Sequence, residues 1–458
     1  MRIPRPQRDD FRRLFALGMP ITVVQLLLML PGVEDSVIVG RLGASALGAI
    51  ALGGTYFFAI TGFGLGILQG VEPVIAQAVG AAEPEAAARG FQRGLLIAAC
   101  VSALAALSFL PVEPMLRLMG QQEELIAIVG PYLRVQAPSV FAFLLFVIVR
   151  ITLQAHHVTR PILVAALFGN VVNIVLCYGL VYGALGMPRM GTLGAGIATS
   201  IARFVMLGSL VIAAWPELAP LLRWQRASAA LAPMGRLLLL GLPAGVQLTL
   251  EFGVFAVVSL LMGNLGAVPM AAHQIAINVA SLTYMVPLGI GISGSVLVGR
   301  AIGAGDRDGA RRIAVAVLLC GVGFMVLSAI TFALVPGLIA RAYTNDLPTI
   351  VLASALIPIA AVFQVFDGLQ CVSIGLLRGT GDTRTPMIVS LVGYWLVGLP
   401  MSLWLGRTLH GGPVGLWWGF VAGLVVVSLA MAIRLRSRFG GPLLRLRVDA
   451  VPPVAAGS

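Results

Sequence analysis

Twelve long apolar runs dominate the chain, cut from one another by Pro, Gly and clusters of charge. They fall at about 14–40, 46–80, 92–112, 125–154, 161–184, 192–215, 237–263, 269–302, 312–340, 348–377, 386–407 and 413–434. A helix that crosses a bilayer needs about 20 predominantly apolar residues, and every run is that long. The expected fold is an all-α integral membrane protein of twelve spans. Composition points the same way: 59% hydrophobic and 10% charged residues, with a mean hydropathy of +0.99, exclude a water-soluble globular domain.

The formal charge of +12 rests on 30 basic residues, all of them Arg, against 18 acidic ones. On a soluble protein it would suggest a nucleic-acid partner. With twelve spans, however, 23 arginines fall on the side of the two termini and only Arg41, Arg117, Arg189, Arg341 and Arg407 on the other, Arg134 and Arg203 lying inside spans. Positive charge gathers on the cytoplasmic side of membrane proteins. Both termini are therefore expected in the cytoplasm of a bacterial inner membrane, and no nucleic-acid surface is expected. The first run reads as an uncleaved span, since no short apolar core with a small-residue cleavage site precedes it. Cys100, Cys177, Cys320 and Cys371 sit singly in apolar runs, which indicates neither a zinc site nor a disulfide framework.

Sliding the chain on itself by 223 positions superposes Leu42-Gly43-Ala44 on Leu265-Gly266-Ala267. The same offset pairs Gly18 and Pro20 with Gly241 and Pro243, Leu65-Gly66-Ile67 with Leu288-Gly289-Ile290, and Gly80-Ala81 with Gly303-Ala304. One position further out, Thr159-Arg160 matches Thr383-Arg384. Two six-span halves related by duplication are expected, and an even number of spans per half leaves both in one orientation. They are then related by a pseudo-two-fold axis along the membrane normal, with a cavity between them. The expected organisation is a tail at 1–13, a bundle at 14–215, a cytoplasmic link at 216–236, a second bundle at 237–434 and a tail at 435–458.

Five carboxylates remain inside apolar runs: Glu34, Asp35, Glu72, Glu251 and Asp367. Each costs about 2.5–3.5 kcal/mol at mid-membrane on insertion scales, so an intramembrane acid is a functional candidate. Glu34 and Glu72 read equally as cation or proton sites and as groups that pair with an intramembrane Arg or lie near water at a span end. Asp35, Glu251 and Asp367 read as sites for a cation or proton. Gln247 lies four residues from Glu251, and Gln364, Asp367 and Gln370 recur every three, so each acid is expected to have amides on its helix face. In the first half Asn170, Asn173 and Cys177 share a face, with Thr199 on the next span. His273 opens a polar run whose Gln274 and Asn278, four apart, could line a cavity. No metalloprotease, serine-elbow or phosphate-loop motif is present, so no cofactor is expected and transport energy must come from an ion gradient.

These residues together resemble a known family, MATE, the multidrug and toxic compound extrusion transporters, in its NorM-like bacterial branch. The resemblance runs from Gly18 to about Gly406. It rests on Gly32-Val-Glu-Asp35-Ser-Val-Ile-Val-Gly40 with Arg41-Leu-Gly-Ala, Pro73-Val-Ile-Ala-Gln77-Ala-Val-Gly80-Ala, Ala271-Ala-His-Gln-Ile-Ala-Ile-Asn278, and Gln364-Val-Phe-Asp367 through Leu377-Arg378-Gly379. It implies proton coupling and substrate release at Asp35, helix bending at Pro20, cation coupling at Glu251 and Asp367, and substrate or cation contacts at Gln274 and Tyr284. Asn173 matches an amide of the first-half polar cluster, to which Thr199 is added, and Gln247 and Asn278 complete the expected substrate set. Cys177 departs from the pattern, standing where the family often has Asn or Asp; Glu72 stands where a hydroxyl is frequent.

The expected activity is secondary antiport: export of amphipathic, often cationic compounds in exchange for Na⁺ or H⁺, by a monomer in contact with membrane lipid. Because Cys177 is a poor ligand for a hard cation, Na⁺, if it is the coupling ion, is expected at Glu251 and Asp367, with Asp35 working through protonation; pure H⁺ coupling is the alternative. Two rivals stand beside it. A lipid-linked oligosaccharide flippase would need an Arg-lined cavity for pyrophosphate, and a polytopic membrane enzyme would need a converging catalytic set.

Overall fold

The computed structural model describes residues 5–118 and 120–449. Arg2 and the ends of the two tails lie outside them. Among the described residues there is no strand, and eleven helices are long and apolar enough to cross a membrane. They are span 1 (Arg8–Gly40), span 2 (Ala44–Gln69 continued by Glu72–Gly80), span 3 (Pro84–Ser108), span 5 (Arg160–Tyr182) and span 6 (Thr192–Ala213). The second half supplies span 7 (Leu231–Asn264), span 8 (Ala267–Gly303), span 9 (Arg307–Leu334), span 10 (Leu347–Gly379), span 11 (Arg384–Thr408) and span 12 (Gly412–Gly440). Span 4 is the twelfth, a pair (Glu123–Arg134 and Ser139–Ala155) bent by 55°. Its break ends at Pro138, which has no N–H to carry the helical ladder across.

Helices overrun several of the apolar runs, because a helix continues through charged residues once it leaves hydrocarbon. Span 1 starts at Arg8 rather than 14 and span 12 runs to Gly440. The expected link at 216–236 is largely helical as well: Trp215–Leu221, a 3₁₀ turn at Arg226–Ala229, and the first residues of span 7. Gln92 of span 3 anchors it, donating from Nε2 to the carbonyls of Leu221 (2.8 Å) and Arg223 (2.7 Å) and accepting from Ser228 Oγ (2.7 Å).

Apolar side chains gather in two cores. One draws on residues from Val24 to Leu237 together with Val448. The other combines Leu14, Leu17 and Ile21 with residues from Val254 to Leu443. Span 1 therefore crosses from one core to the other just after Pro20, where the proline removes one backbone hydrogen bond of a continuous helix.

The halves meet through small residues in reciprocal pairs. Gly66 packs on the backbone of Gly245 and Gly70 on Gly241, span 2 against span 7. At the same 223-residue offset, Gly289 packs on Thr22 and Ser293 on Gly18, span 8 against span 1. Gly80 lies on the Arg300 carbonyl and Gly303 on that of Gln77, again one contact written twice. This reciprocity is what a two-fold relation requires. Because lipid supplies no hydrophobic drive between helices, close backbone approach at Gly is a main source of their attraction.

All of these contacts lie in the half of the bundle that carries the termini. The same end holds the polar bonds between halves: Gln77 Nε2 to the Gly379 carbonyl (3.1 Å), Arg300 to the Ala155 carbonyl (3.4 Å) and Arg312 to Asp10 (3.4 Å). Glu72 and Arg378, both nearly buried, pair across the halves at 3.7 Å. Beyond Gly62 and Phe252, which touch at mid-bundle, no glycine approach, hydrogen bond or ion pair joins the halves among the described residues.

The segment after span 12 straps this end. Leu443 is buried in the second core and Val448 in the first. Between them Arg445 makes a bidentate pair with Glu83 (2.6 and 2.6 Å), the Leu446 N–H donates to Gln77 Oε1 (2.7 Å), and Asp449 pairs with Arg93 (2.6 Å) and Arg89 (2.9 Å). The Arg445 hydrogen bonds hold the Glu83 carboxyl below its ordinary range, so this clasp is intact at neutral pH and loosens only when acid titrates Glu83.

Candidate functional site

The five acids fall into three surroundings: Glu34 with Asp35, Glu251 with Asp367, and Glu72 against Arg378. In the first half span 1 delivers Glu34 and Asp35, span 5 faces them with Asn173 and Cys177, and span 6 adds Thr199. Asp35, 3% exposed, accepts from Thr199 Oγ1 at 2.7 Å and from Asn173 Nδ2 at 3.2 Å. The same amide reaches Glu34 Oε2 at 3.3 Å. Cys177 is fully buried beside Asp35. Asn170 is turned away, donating to the Leu27 carbonyl at 2.9 Å.

The proton count at Thr199 is informative. Its oxygen also lies 3.0 Å from the Ala195 carbonyl, yet a hydroxyl has one hydrogen and can donate to only one of these acceptors. With Asp35 ionised it donates to the carboxylate. With Asp35 protonated the acid donates to Thr199, whose hydrogen turns to Ala195, so the carboxyl and the hydroxyl stay paired in both states. Asn173 Oδ1 is buried without any partner, an acceptor available to a proton-bearing carboxyl or a cation.

In the second half Glu251 of span 7 is held by two amides. Gln247 Nε2 donates to Oε2 at 2.7 Å and Gln370 Nε2 to Oε1 at 3.2 Å. Gln370 is fixed in turn by Tyr394, whose hydroxyl donates to its Oε1 at 2.6 Å. Asp367, 7% exposed, is the near charged neighbour of Glu251 and has no donor among the described residues. Tyr284 completes the cluster against Cys371. Two adjacent carboxylates, with both amide donors on Glu251 and no guanidinium in hydrogen-bond reach of either, need a counter-charge, which a proton or a hard cation supplies.

Some expectations change here. Gln364 does not orient Asp367; it accepts from Thr283 (3.0 Å) and exchanges bonds with Ser328 (3.2 Å), because its helix face turns toward spans 8 and 9. Of the four residues grouped for substrate, Gln247 and Tyr284 belong to the carboxylate cluster, whereas Gln274 and Asn278 are exposed on span 8 and join neither cluster. His273 points into the core, 3.0 Å from Ser259 Oγ and edge-on to Trp417. Among the described residues no group of three or more His, Cys, Asp or Glu converges as a metal site.

Matching the chain against family models decides where it belongs: residues 20–179 and 243–404, one block per half, match the model MatE. The chain belongs to the MatE family. Curated relatives extend over nearly the whole length. It is 36% identical to a probable multidrug resistance protein NorM of Rhizobium meliloti, covering 96% of this chain and 95% of that protein. It is 37% identical to the multidrug resistance protein NorM of Burkholderia vietnamiensis, covering 91% and 92%. A solved outward-facing multidrug resistance MATE family transporter of the MOP superfamily superposes with a TM-score of 0.85 at 20% identity, covering 94% of this chain and 96% of that one.

Within this MatE chain, Tyr394 went unnoticed in the sequence. It lies in a π-helical stretch of span 11, Leu391–Gly398, where the wider turn carries its hydroxyl to Gln370. Gly393, Gly398 and Pro400 were the available signal, since proline lacks the donor that a regular ladder needs. Tyr394→Phe is expected to free Gln370 and weaken the grip on Glu251, raising the cation concentration for half-maximal efflux about tenfold, as the loss of one buried hydrogen bond implies. The maximal rate should change little. Cation titration of efflux separates this positioning role from a structural one, which would lower the rate at every cation concentration.

Proposed function

We propose that this chain is a secondary active multidrug antiporter that exports amphipathic, often cationic compounds across a bacterial inner membrane in exchange for Na⁺ or H⁺. The observation that carries the reading is a pair of intramembrane acid clusters, one per half, in a bundle whose halves, among the described residues, touch from one end to mid-bundle and no further. The arginine asymmetry makes that end cytoplasmic, so the state described is open to the periplasm. The names of the curated relatives supply the substrate class, and Gln274 and Asn278, exposed on span 8, are the amides placed to meet it. One chain contains both halves and so acts as a monomer.

In this state a cation arriving from the periplasm meets Glu251 and Asp367, while a proton meets Asp35. Neutralised clusters no longer hold a cationic compound, which leaves outward. The cation must also favour one orientation of the halves over the other, since a ligand with equal affinity for both shifts nothing. One charge moving through 100 mV is worth about 2.3 kcal/mol, roughly a fifty-fold gradient of exported compound. Na⁺ is assigned to the second half, and Asp35, with its reversible Thr199 and Ala195 partners, to protonation.

The test is dye efflux by the purified protein in proteoliposomes, with Na⁺ and pH gradients imposed separately at clamped potential. Efflux should follow at least one gradient and vanish without either; efflux that ignores both gradients would defeat antiport. Orientation has its own check. Cysteines introduced at Arg41 and Arg189 should react with an impermeant reagent in intact cells, and those at Arg223 and Arg436 only after permeabilisation. Reaction of both pairs from outside would refute the twelve-span reading.

A further inference from the structure

At the terminus-bearing end, span 7, the start of span 11, the end of span 12 and the strap line a cavity of about 430 Å³ that neither acid cluster touches. Arg236, Arg384, Arg434, Arg438 and Arg447 line it, with Asp382 as the one carboxylate among the lining residues. That carboxylate is already used: it accepts from Arg434 Nε at 2.7 Å and caps span 11 at the Thr385 N–H, 3.2 Å away. Arg438 donates to the Thr380 carbonyl (3.2 Å), a neutral acceptor that leaves its guanidinium charge uncompensated, and Arg236 donates to that of Val448 (2.8 Å). Arg384 and Arg447 are exposed. Such a concave set of guanidiniums is matched by a phosphate group, whose oxygens accept several charge-assisted hydrogen bonds at once.

The wall of the cavity says what the phosphate is attached to. Leu239 lines it and is 55% exposed. Further along the same face of span 7 come exposed Leu242 and Val246, and the neighbouring span 11 shows exposed Ile388 and Leu391. The basic cavity therefore continues into an apolar track running along two spans into the hydrocarbon. Basic pockets between spans at the cytoplasmic surface are suited to lipid headgroups.

We propose that this cavity binds the phosphate-bearing headgroup of an anionic phospholipid, with the acyl chains lying along the track between spans 7 and 11. The site is built partly by the strap, which contributes Arg447, so it is complete only when the strap is docked and the halves are closed at this end. Bound lipid consequently favours that state by its differential affinity. The proposal depends on the topology assigned above only for which leaflet supplies the lipid.

Native mass spectrometry of the full-length protein in detergent tests it without reference to transport. Phosphatidylglycerol, phosphatidylethanolamine and inorganic phosphate are the probes. Wild type should retain phosphatidylglycerol over phosphatidylethanolamine, and inorganic phosphate at millimolar concentration should not displace it. Arg384→Ala combined with Arg447→Ala should weaken phosphatidylglycerol binding roughly thirtyfold, from the contribution of two arginines near an anionic lipid surface. Arg160→Ala, the exposed repeat counterpart of Arg384 that is not among the residues lining this cavity, should leave it unchanged. Leu239→Glu places a carboxylate at the mouth while keeping every arginine hydrogen bond, and should act in the same direction as the double variant. Unaltered retention in the double variant or in Leu239→Glu would overturn the site. Displacement by inorganic phosphate would overturn the lipid and leave a free-phosphate site in its place.

Discussion

Asp367→Asn is expected to reduce gradient-driven efflux to the level of empty vesicles while the protein still inserts and folds. Amide and carboxylate have the same shape, so packing on span 10 is retained. What disappears is a charge for which the fold provides no donor: Gln370 serves Glu251, and Gln364 serves Thr283 and Ser328. An unpartnered carboxylate beside a second acid costs stability wherever it lies in an apolar surround. The thermal midpoint of the variant in detergent should therefore be unchanged or higher. That combination, transport lost and stability kept, distinguishes a coupling role from a structural one. Wild-type efflux from Asp367→Asn would remove Asp367 from the mechanism, and a lowered midpoint would mean that the charge serves the fold.

A second large effect is expected at Gly80 and Gly303. A Cβ on Gly80 would overlap the Arg300 carbonyl, and one on Gly303 the Gln77 carbonyl, with the clash in each case against the opposite half. Gly80→Val and Gly303→Val should therefore spare each bundle and oppose only their closure. Overpacking of this kind costs about 1–3 kcal/mol or more, enough to shift the balance of two states by about 5- to 150-fold. Spin labels at Leu42 and Leu265, repeat-related positions at the far ends, should move closer together on average in both variants as the closed end opens. Efflux should fall in proportion to the lost population. Because the contact is one interface written twice, the two variants should agree; wild-type distances in both would show that the contact does not govern the equilibrium.

Much of this architecture was legible in the amino-acid sequence, for a reason particular to membranes. Backbone polar groups in hydrocarbon must be satisfied within the helix, so a local run of apolar residues is sufficient to specify a span. The arginine bias and the 223-residue repeat are equally local, and they gave the span count and the pairing of halves. The intramembrane acids stood out because their cost in lipid does not depend on neighbours.

Partner choice was not local. A helix that is apolar on nearly every side has no strong periodicity, so spacing alone could not tell which face of span 10 meets span 7 and which meets span 9. Gln364 and Gln370 looked equivalent in sequence and were parted by helix phase. Glu72 was undecided until Arg378, 306 positions away in the chain, was brought against it across the two halves. Tyr394 reached Gln370 only through a wide turn whose geometry depends on the packing of span 11 against Gly423. The strap at 441–449 read as tail because its clasp is with Glu83, Arg89 and Arg93 in the other half. The sequence by itself determined the spans, their orientation bias, the duplication and the positions of the acids, each being a property of one segment in its solvent. Only the tertiary structure decided which donors face each acid, which end of the bundle is closed and where the arginines converge, because hydrogen bonds and ion pairs act over a few ångströms between segments that the chain holds hundreds of residues apart.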